Sequence, residues 1–272
     1  MSMSESQLSP ERAAYLRARR RRARRVRLLR ALVLIVFLAQ WEITARLGLV
    51  DEFVVSTPSR MVATLTGLFR SGEIWAHLAA SCAEMLAGFV LGTLLGVLIA
   101  VLLWWSDTLS RVLEPYLVVL NALPKTALGP IFIVWIGAGT ESIVAMAVAI
   151  SVFVTILDMY VAFCGTDPEK LRLMHTLGAS KWQTLRTLVI PANYAALFNT
   201  LRVNVGLSWV GVIMGEFLVS KAGLGYLIVY GSQVFNMDLV MASVLLLAIA
   251  AVGMYQAVLL LERVLKRKMG VG

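Results

Sequence analysis

Few residues in this chain have the type and spacing to do chemistry. The histidines, His77 and His175, belong to no metal-like cluster, and the cysteines, Cys82 and Cys164, have neither disulfide-framework nor metal-ligand spacing. Small packing residues are what such cysteines imply. No nucleophile–base pair stands out, and there is no G-x-x-x-x-G-K-[ST] phosphate cradle. The polar groups that do stand out lie inside long apolar runs: Asn121, Pro124 and Lys125 in one, and Asn204, Ser208 and Glu216 in another. Polar groups persist at membrane depth only where protein or a water-filled cavity covers them. The chemistry they suggest is holding or passing a solute, so these residues are the candidate lining of a translocation pathway. Lys125 has two readings: a functional intramembrane cation, or a side chain that snorkels or pairs with Glu84 or Asp158.

The elements that must position these groups are membrane helices. Of 272 residues, 59% are hydrophobic and 15% charged, whereas a soluble domain carries about 25% charged residues. Unbroken apolar runs, rather than alternating strands, exclude a barrel and indicate an all-α polytopic membrane protein. About six transmembrane helices are expected, near residues 26–49, 78–105, 112–136, 142–163, 194–219 and 239–261. Each can cross a core of about 30 Å at about 1.5 Å per residue.

The formal charge of +9 is concentrated in LRARRRRARRVRLLR, residues 16–30, directly before the first span. Such a cluster marks the cytoplasmic side and can rest on lipid headgroups. No aromatic residue interleaves it, so a nucleic-acid partner is not expected. Its basic run and Arg24-Arg25 imitate secretion signals, but the apolar stretch continues through Trp41 with no small-x-small site, and an uncleaved first span is expected. Alternate loops then carry Arg111; Lys170, Arg172, Lys181 and Arg186; and Arg263, Lys266, Arg267 and Lys268. The other loops set Arg60 and Arg70 against Asp51, Glu52 and Glu73, and Lys221 against Asp238. Both termini are therefore expected on the cytoplasmic side.

Local signals refine this layout. Thr57-Pro58 opens a short helix along the outer interface, and Glu42 and Arg46, four apart, pair locally. Gly88, Gly92 and Gly96 form a small-residue face, suited to packing within the chain more than to a dimer seam. Pro115, Pro124 and Pro130 interrupt the third span, placing it against the pathway. The loop between the fourth and fifth spans starts at Asp167-Pro168, a cap and first turn. Leu171, Met174, Leu177 and Trp182 give it an amphipathic face, Gly178 divides it into two short helices, and Pro191 resets the chain. That face needs either the lipid interface or a protein partner.

The stretch HTLGASKWQTLRTLVIP, residues 175–191, resembles the cytoplasmic loop signature of ABC-importer permeases, E-A-A-x₃-G-x₉-I-x-L-P. Gly178 stands at its glycine, Leu188 at its isoleucine and Ile190-Pro191 at its Leu-Pro. PSRMVATLTGLFRSGEIWAHLAAS, LPKTALGPIFIVWIGAG and SWVGVIMGEFLVSKAGLGYLI are similar to the nitrate/sulfonate/taurine branch.

The resemblance implies a type I ABC importer permease fold, set in the inner membrane of a bacterial cell. It further implies a second permease copy in a homodimer, a cytosolic ATPase dimer that binds ATP and Mg, and an extracytoplasmic substrate-binding protein. No cofactor is expected on this chain. The implied arrangement is a basic cytoplasmic segment 1–25, a permease domain 26–265 with the ATPase-coupling loop at 165–190, and a cytoplasmic tail 266–272. Glu169, Leu171, Arg172, Met174, Leu177, Gly178, Ala179, Ser180, Trp182 and Pro191 are its candidate coupling residues.

One departure stands out: Arg172-Leu173-Met174 replaces Glu-Ala-Ala, so a basic residue stands where the signature is acidic, with Glu169 one turn earlier as a substitute. A self-sufficient secondary transporter or channel is the competing reading, and it leaves the loop unexplained. A small anion such as sulfonate, taurine or nitrate is the expected cargo, with pyrimidine-type or other heterocyclic cargo as the alternative.

Overall fold

The computed structural model describes residues 10–49 and 55–269, with no strand among them. The helices are α1 (Pro10–Arg46), α2 (Pro58–Ser71), α3 (Glu73–Trp105), α4 (Asp107–Ala122), α5 (Gly129–Ile136), α6 (Thr140–Cys164), α7 (Pro168–Thr176), α8 (Lys181–Thr184), α9 (Ile190–Ala192), α10 (Tyr194–Val219), α11 (Leu224–Gln233) and α12 (Met237–Met269). Asp51 and Glu52 of the expected outer loop and residues 270–272 of the expected tail lie outside the described residues, as does the whole of the segment before α1.

The chain divides into Met1–Thr64 and Leu65–Gly272. In the first unit α1 runs without a break through the expected boundary at residues 25–26. Glu42 does more than pair with Arg46, whose Nε donates to it at 2.7 Å. It also accepts from the Ser59 amide at 3.1 Å and the Ser59 hydroxyl at 2.7 Å, satisfying a first-turn amide of α2. Thr57 caps the same turn by accepting from the Arg60 amide at 3.3 Å.

Among the described residues, helices long and apolar enough to cross a membrane are Arg21–Arg46, Glu73–Trp105, Thr140–Cys164, Tyr194–Val219 and Met237–Arg267. The third expected span, 112–136, is not one helix. α4 and the stretch Lys125–Ile136 meet at 90°. Pro124 has no amide to donate, and the chain turns through a short 3-10 segment, Lys125–Leu128, before α5.

Within the second unit α6 packs between α3 and α10, and small residues set how closely. A Cβ at Gly88, Gly92 or Gly96 of α3 would run into Ala147, Ser151 or Thr155 of α6. On α10, Gly211 and Gly215 lie against the backbones of Ala147 and Ile143. Ala147 is thus enclosed from both sides and fully buried. Lipid supplies no hydrophobic drive between helices, so this close approach is a principal source of their association. Met85, Ile143, Val205, Trp209 and Val212 fill one core cluster, and Ala100, Met159, Phe163, Leu185 and Val189 another. Of the cysteines, Cys82 is partly packed, while Cys164, at the end of α6, is exposed rather than packed.

Candidate functional site

The connection from α6 to α10 is built by local sequence. Asp167 Oδ1 accepts from the Glu169 amide at 2.9 Å, with Pro168 in the first turn of α7. The helix closes at Gly178, whose φ of +72° places it in the left-handed region. There the Gly178 amide donates to His175 O and the Ala179 amide to Met174 O, each at 3.0 Å. Ser180 and Gln183 then cap α8 reciprocally: the Gln183 amide donates to Ser180 Oγ at 3.3 Å and the Ser180 amide to Gln183 Oε1 at 2.7 Å. A π turn, Leu185–Val189, leads through Pro191 in α9 to α10 and buries Leu185 and Val189 in the second core cluster. Asn193 Nδ2 ties the two ends together, donating to Thr166 Oγ1 at 2.9 Å and Val189 O at 2.8 Å.

What the loop presents is apolar. Leu173, Leu177 and Trp182 are 57%, 72% and 57% exposed. Leu171 faces the other way, against the Met159–Phe163 cluster, and Met174 and Ala179 are half-buried. Glu169, Arg172 and Ser180 are exposed around them. Leu173 is the exposed residue that an amphipathic reading through Leu171 and Met174 passes over. Lys181 is another residue without a sequence signal: its Nζ donates to Trp105 O, the last carbonyl of α3, at 2.5 Å.

The opposite end of α10 carries a buried clasp. Ser81 Oγ donates to Glu216 Oε1 at 2.5 Å, and the Gly225 amide donates to Oε2 at 2.5 Å. The Leu224 amide donates to Ser81 Oγ at 2.7 Å, and the Gly223 amide to His77 Nδ1 at 3.0 Å. Glu216 thereby satisfies the start of α11, a helix whose first amides lack intrahelical partners. A Cβ at Gly223 or Gly225 would collide with the Glu216 carboxylate, and Gly223 also has a φ of +119°. The spacing of Glu216 to the G-L-G of Gly223–Gly225 is the one sequence trace of this arrangement.

The polar stripe of α10 turns inward. Asn204, Ser208 and Glu216 are 0%, 0% and 2% exposed, facing other helices of the chain rather than an opening. Asn204 Nδ2 donates to Thr93 Oγ1 of α3 at 2.9 Å and Thr155 Oγ1 of α6 at 2.7 Å, fastening the three helices at one level. Lys125 meets neither Glu84 nor Asp158. Its Nζ donates to Asn121 O at 2.8 Å and Asn121 Oδ1 at 3.2 Å. At the break after α4 this ammonium takes the place of the helical amide that Asn121 O would otherwise accept from. Pro124 is exposed beside it.

Comparison with known proteins bears on both ends of this bundle. The family of binding-protein-dependent transport system inner membrane components matches residues 92–271. A riboflavin transport system permease protein of Chloroflexus aurantiacus is 31% identical over 86% of this chain and 87% of its own. A formylaminopyrimidine transport permease protein of Halalkalibacterium halodurans is 29% identical over 86% and 93%. A taurine transport system permease protein of Escherichia coli is 23% identical over 80% and 81%. The family match runs from the middle of α3 through the exposed loop and the Glu216 clasp to the end of α12, and on that footing this chain belongs to the inner-membrane permeases of binding-protein-dependent ABC importers.

Proposed function

We propose that the α7–α8 loop is the surface through which a separate cytosolic ABC ATPase, holding ATP and Mg, drives this permease. The observation that carries the proposal is the exposure of Leu173, Leu177 and Trp182 on a loop held by caps and a core-packed base. Exposed apolar side chains on a rigid mount suit a protein groove, which loses little ordering entropy on docking. On this reading both termini lie on the loop's side, in the cytoplasm. A second copy of the chain completes the pathway, and an extracytoplasmic binding protein delivers the cargo.

Asn121, Pro124 and Lys125, at the 90° break, are the pathway residues of this proposal. Asn204, Ser208 and Glu216 hold its walls from behind. A self-sufficient secondary transporter or channel is not favoured, because it gives the loop no task and does not fit the family.

The test uses the complex of this chain with its cognate ATPase. Leu177→Asp should weaken ATPase association at least about tenfold, as expected for an apolar anchor. Gly178→Trp is a poorer probe, since a left-handed residue is strained by any side chain. Unchanged association of Leu177→Asp would refute the docking reading.

For cargo we propose a small anion of the sulfonate, taurine or nitrate kind. A heterocyclic solute is the second reading, because the relatives named for riboflavin and formylaminopyrimidine are 31% and 29% identical, against 28% for a relative named for aliphatic sulfonates and 23% for the taurine relative. A thermal-shift screen of the partner binding protein with taurine, nitrate, riboflavin and formylaminopyrimidine separates the two: stabilisation by a heterocycle alone would sink the anion.

A further inference from the structure

The loop is covalently continuous with α6 and α10, so a load on it reaches those helices directly. α3 is different: it meets the loop through a hydrogen bond that spans 76 positions and is made by Lys181. Trp105 ends α3, and its carbonyl is one of the unpaired acceptors at the negative end of a 33-residue helix. The Lys181 ammonium donates to that carbonyl at 2.5 Å. It also stands 5.7 Å from the ring centroids of both Trp104 and Trp105. The exposed Trp182 next to it lies 6.5 Å from the Trp105 ring, centroid to centroid. Ser180 and Gln183 fix the first turn of α8, so the lysine leaves a rigid base.

We propose that Lys181 is a positioning residue that pins the loop to the end of α3, so that force applied at Leu177 and Trp182 moves α3 together with α6 and α10. The apolar contacts of Leu171, Leu185 and Val189 with Ala100 and its neighbours also join loop and α3, but they are non-directional and permit sliding. The charge-assisted bond to one carbonyl does not. The glycine-lined seam between α3 and α6 then transmits the displacement along the bundle.

The proposal rests on the reading that an ATPase docks at this loop, and its test separates the two. The full importer is reconstituted in liposomes with Lys181→Met, which keeps an apolar stem against the tryptophans, and with Lys181→Arg, which keeps the charge. ATPase association and the ATP consumed per solute moved are both measured. The expected result is unchanged association in both variants. The ATP cost per solute should rise about three- to tenfold in Lys181→Met and return to within about twofold of the parent in Lys181→Arg.

A parent-like ratio in Lys181→Met, or equal behaviour of the two variants, overturns the pin. Loss of association in Lys181→Met also overturns it, by making the lysine a docking contact. Lys181 is exposed, so an unaltered melting temperature of the solubilised permease is expected alongside. Failure of the docking reading itself would show separately, as intact association in Leu177→Asp.

Discussion

At one end of α10, Glu216 has both carboxylate oxygens occupied, by the Ser81 hydroxyl and the Gly225 amide, and is 2% exposed. At the other end, past Pro191 and the π turn, Leu177 and Trp182 stand 72% and 57% in the open. α10 thus runs between a closed polar clasp at one end and an open apolar mount at the other. A buried hydrogen-bond network locks one geometry, since breaking any member strands another. An exposed apolar tip on a capped base contributes little to the isolated chain and is free to bind. The difference assigns stability to the first region and partnership to the second.

The contrast can be broken most sharply at Glu216. Glu216→Ala leaves the Ser81 hydroxyl and the Gly225 amide without this partner in a buried site, for about 1–3 kcal/mol each. The melting temperature of the solubilised permease should fall by about 10 °C, and a shift near zero would mean the clasp holds nothing. Gly92→Val comes next, because its side chain would meet Ser151 Oγ across the α3–α6 seam. A loss of about 1–3 kcal/mol is expected from overpacking, read as a melting shift of smaller size.

The open end should behave in reverse. Leu177→Asp, chosen above for ATPase association, should leave melting within about 0.5 kcal/mol of the parent, so a marked loss of stability would erase the contrast. The smallest effect belongs to Arg172→Gln. Exposed ion pairs contribute about 0–1 kcal/mol, so ATPase association should change by less than about threefold and converge with the parent near 0.5 M salt. A larger, salt-resistant effect would place Arg172 inside the contact, as a replacement for the acidic residue of the related signature.

Much of this architecture was legible because it is local. Asp167-Pro168 and Thr57-Pro58 announced helix starts by chemistry that acts within a turn, and the structure builds both caps. Ser180 and Gln183 close a capping box over the same short range, a feature that only the structure brought out. Gly88, Gly92 and Gly96 foretold close packing, though not that Ala147, Ser151 and Thr155 would receive them. The third span shows the limit of such signals: prolines told of irregular backbone, while the 90° turn depends on what covers it.

Asn204 marks where local reading ends. A buried amide and a pathway amide look alike in a helical pattern, and the distinction lies in Thr93 and Thr155, 111 and 49 positions away. The apolar spans apart from the third, the helix starts at Thr57-Pro58 and Asp167-Pro168, the Gly178 turn and the small-residue seam were determined by the sequence itself, through hydropathy, hydrogen-bond rules within a turn, and residue size. Which face of α10 meets α3 and α6, which oxygen of Glu216 meets which amide, and where the Lys181 ammonium lands were decided only by the tertiary structure, because each depends on groups that folding alone brings within hydrogen-bond reach.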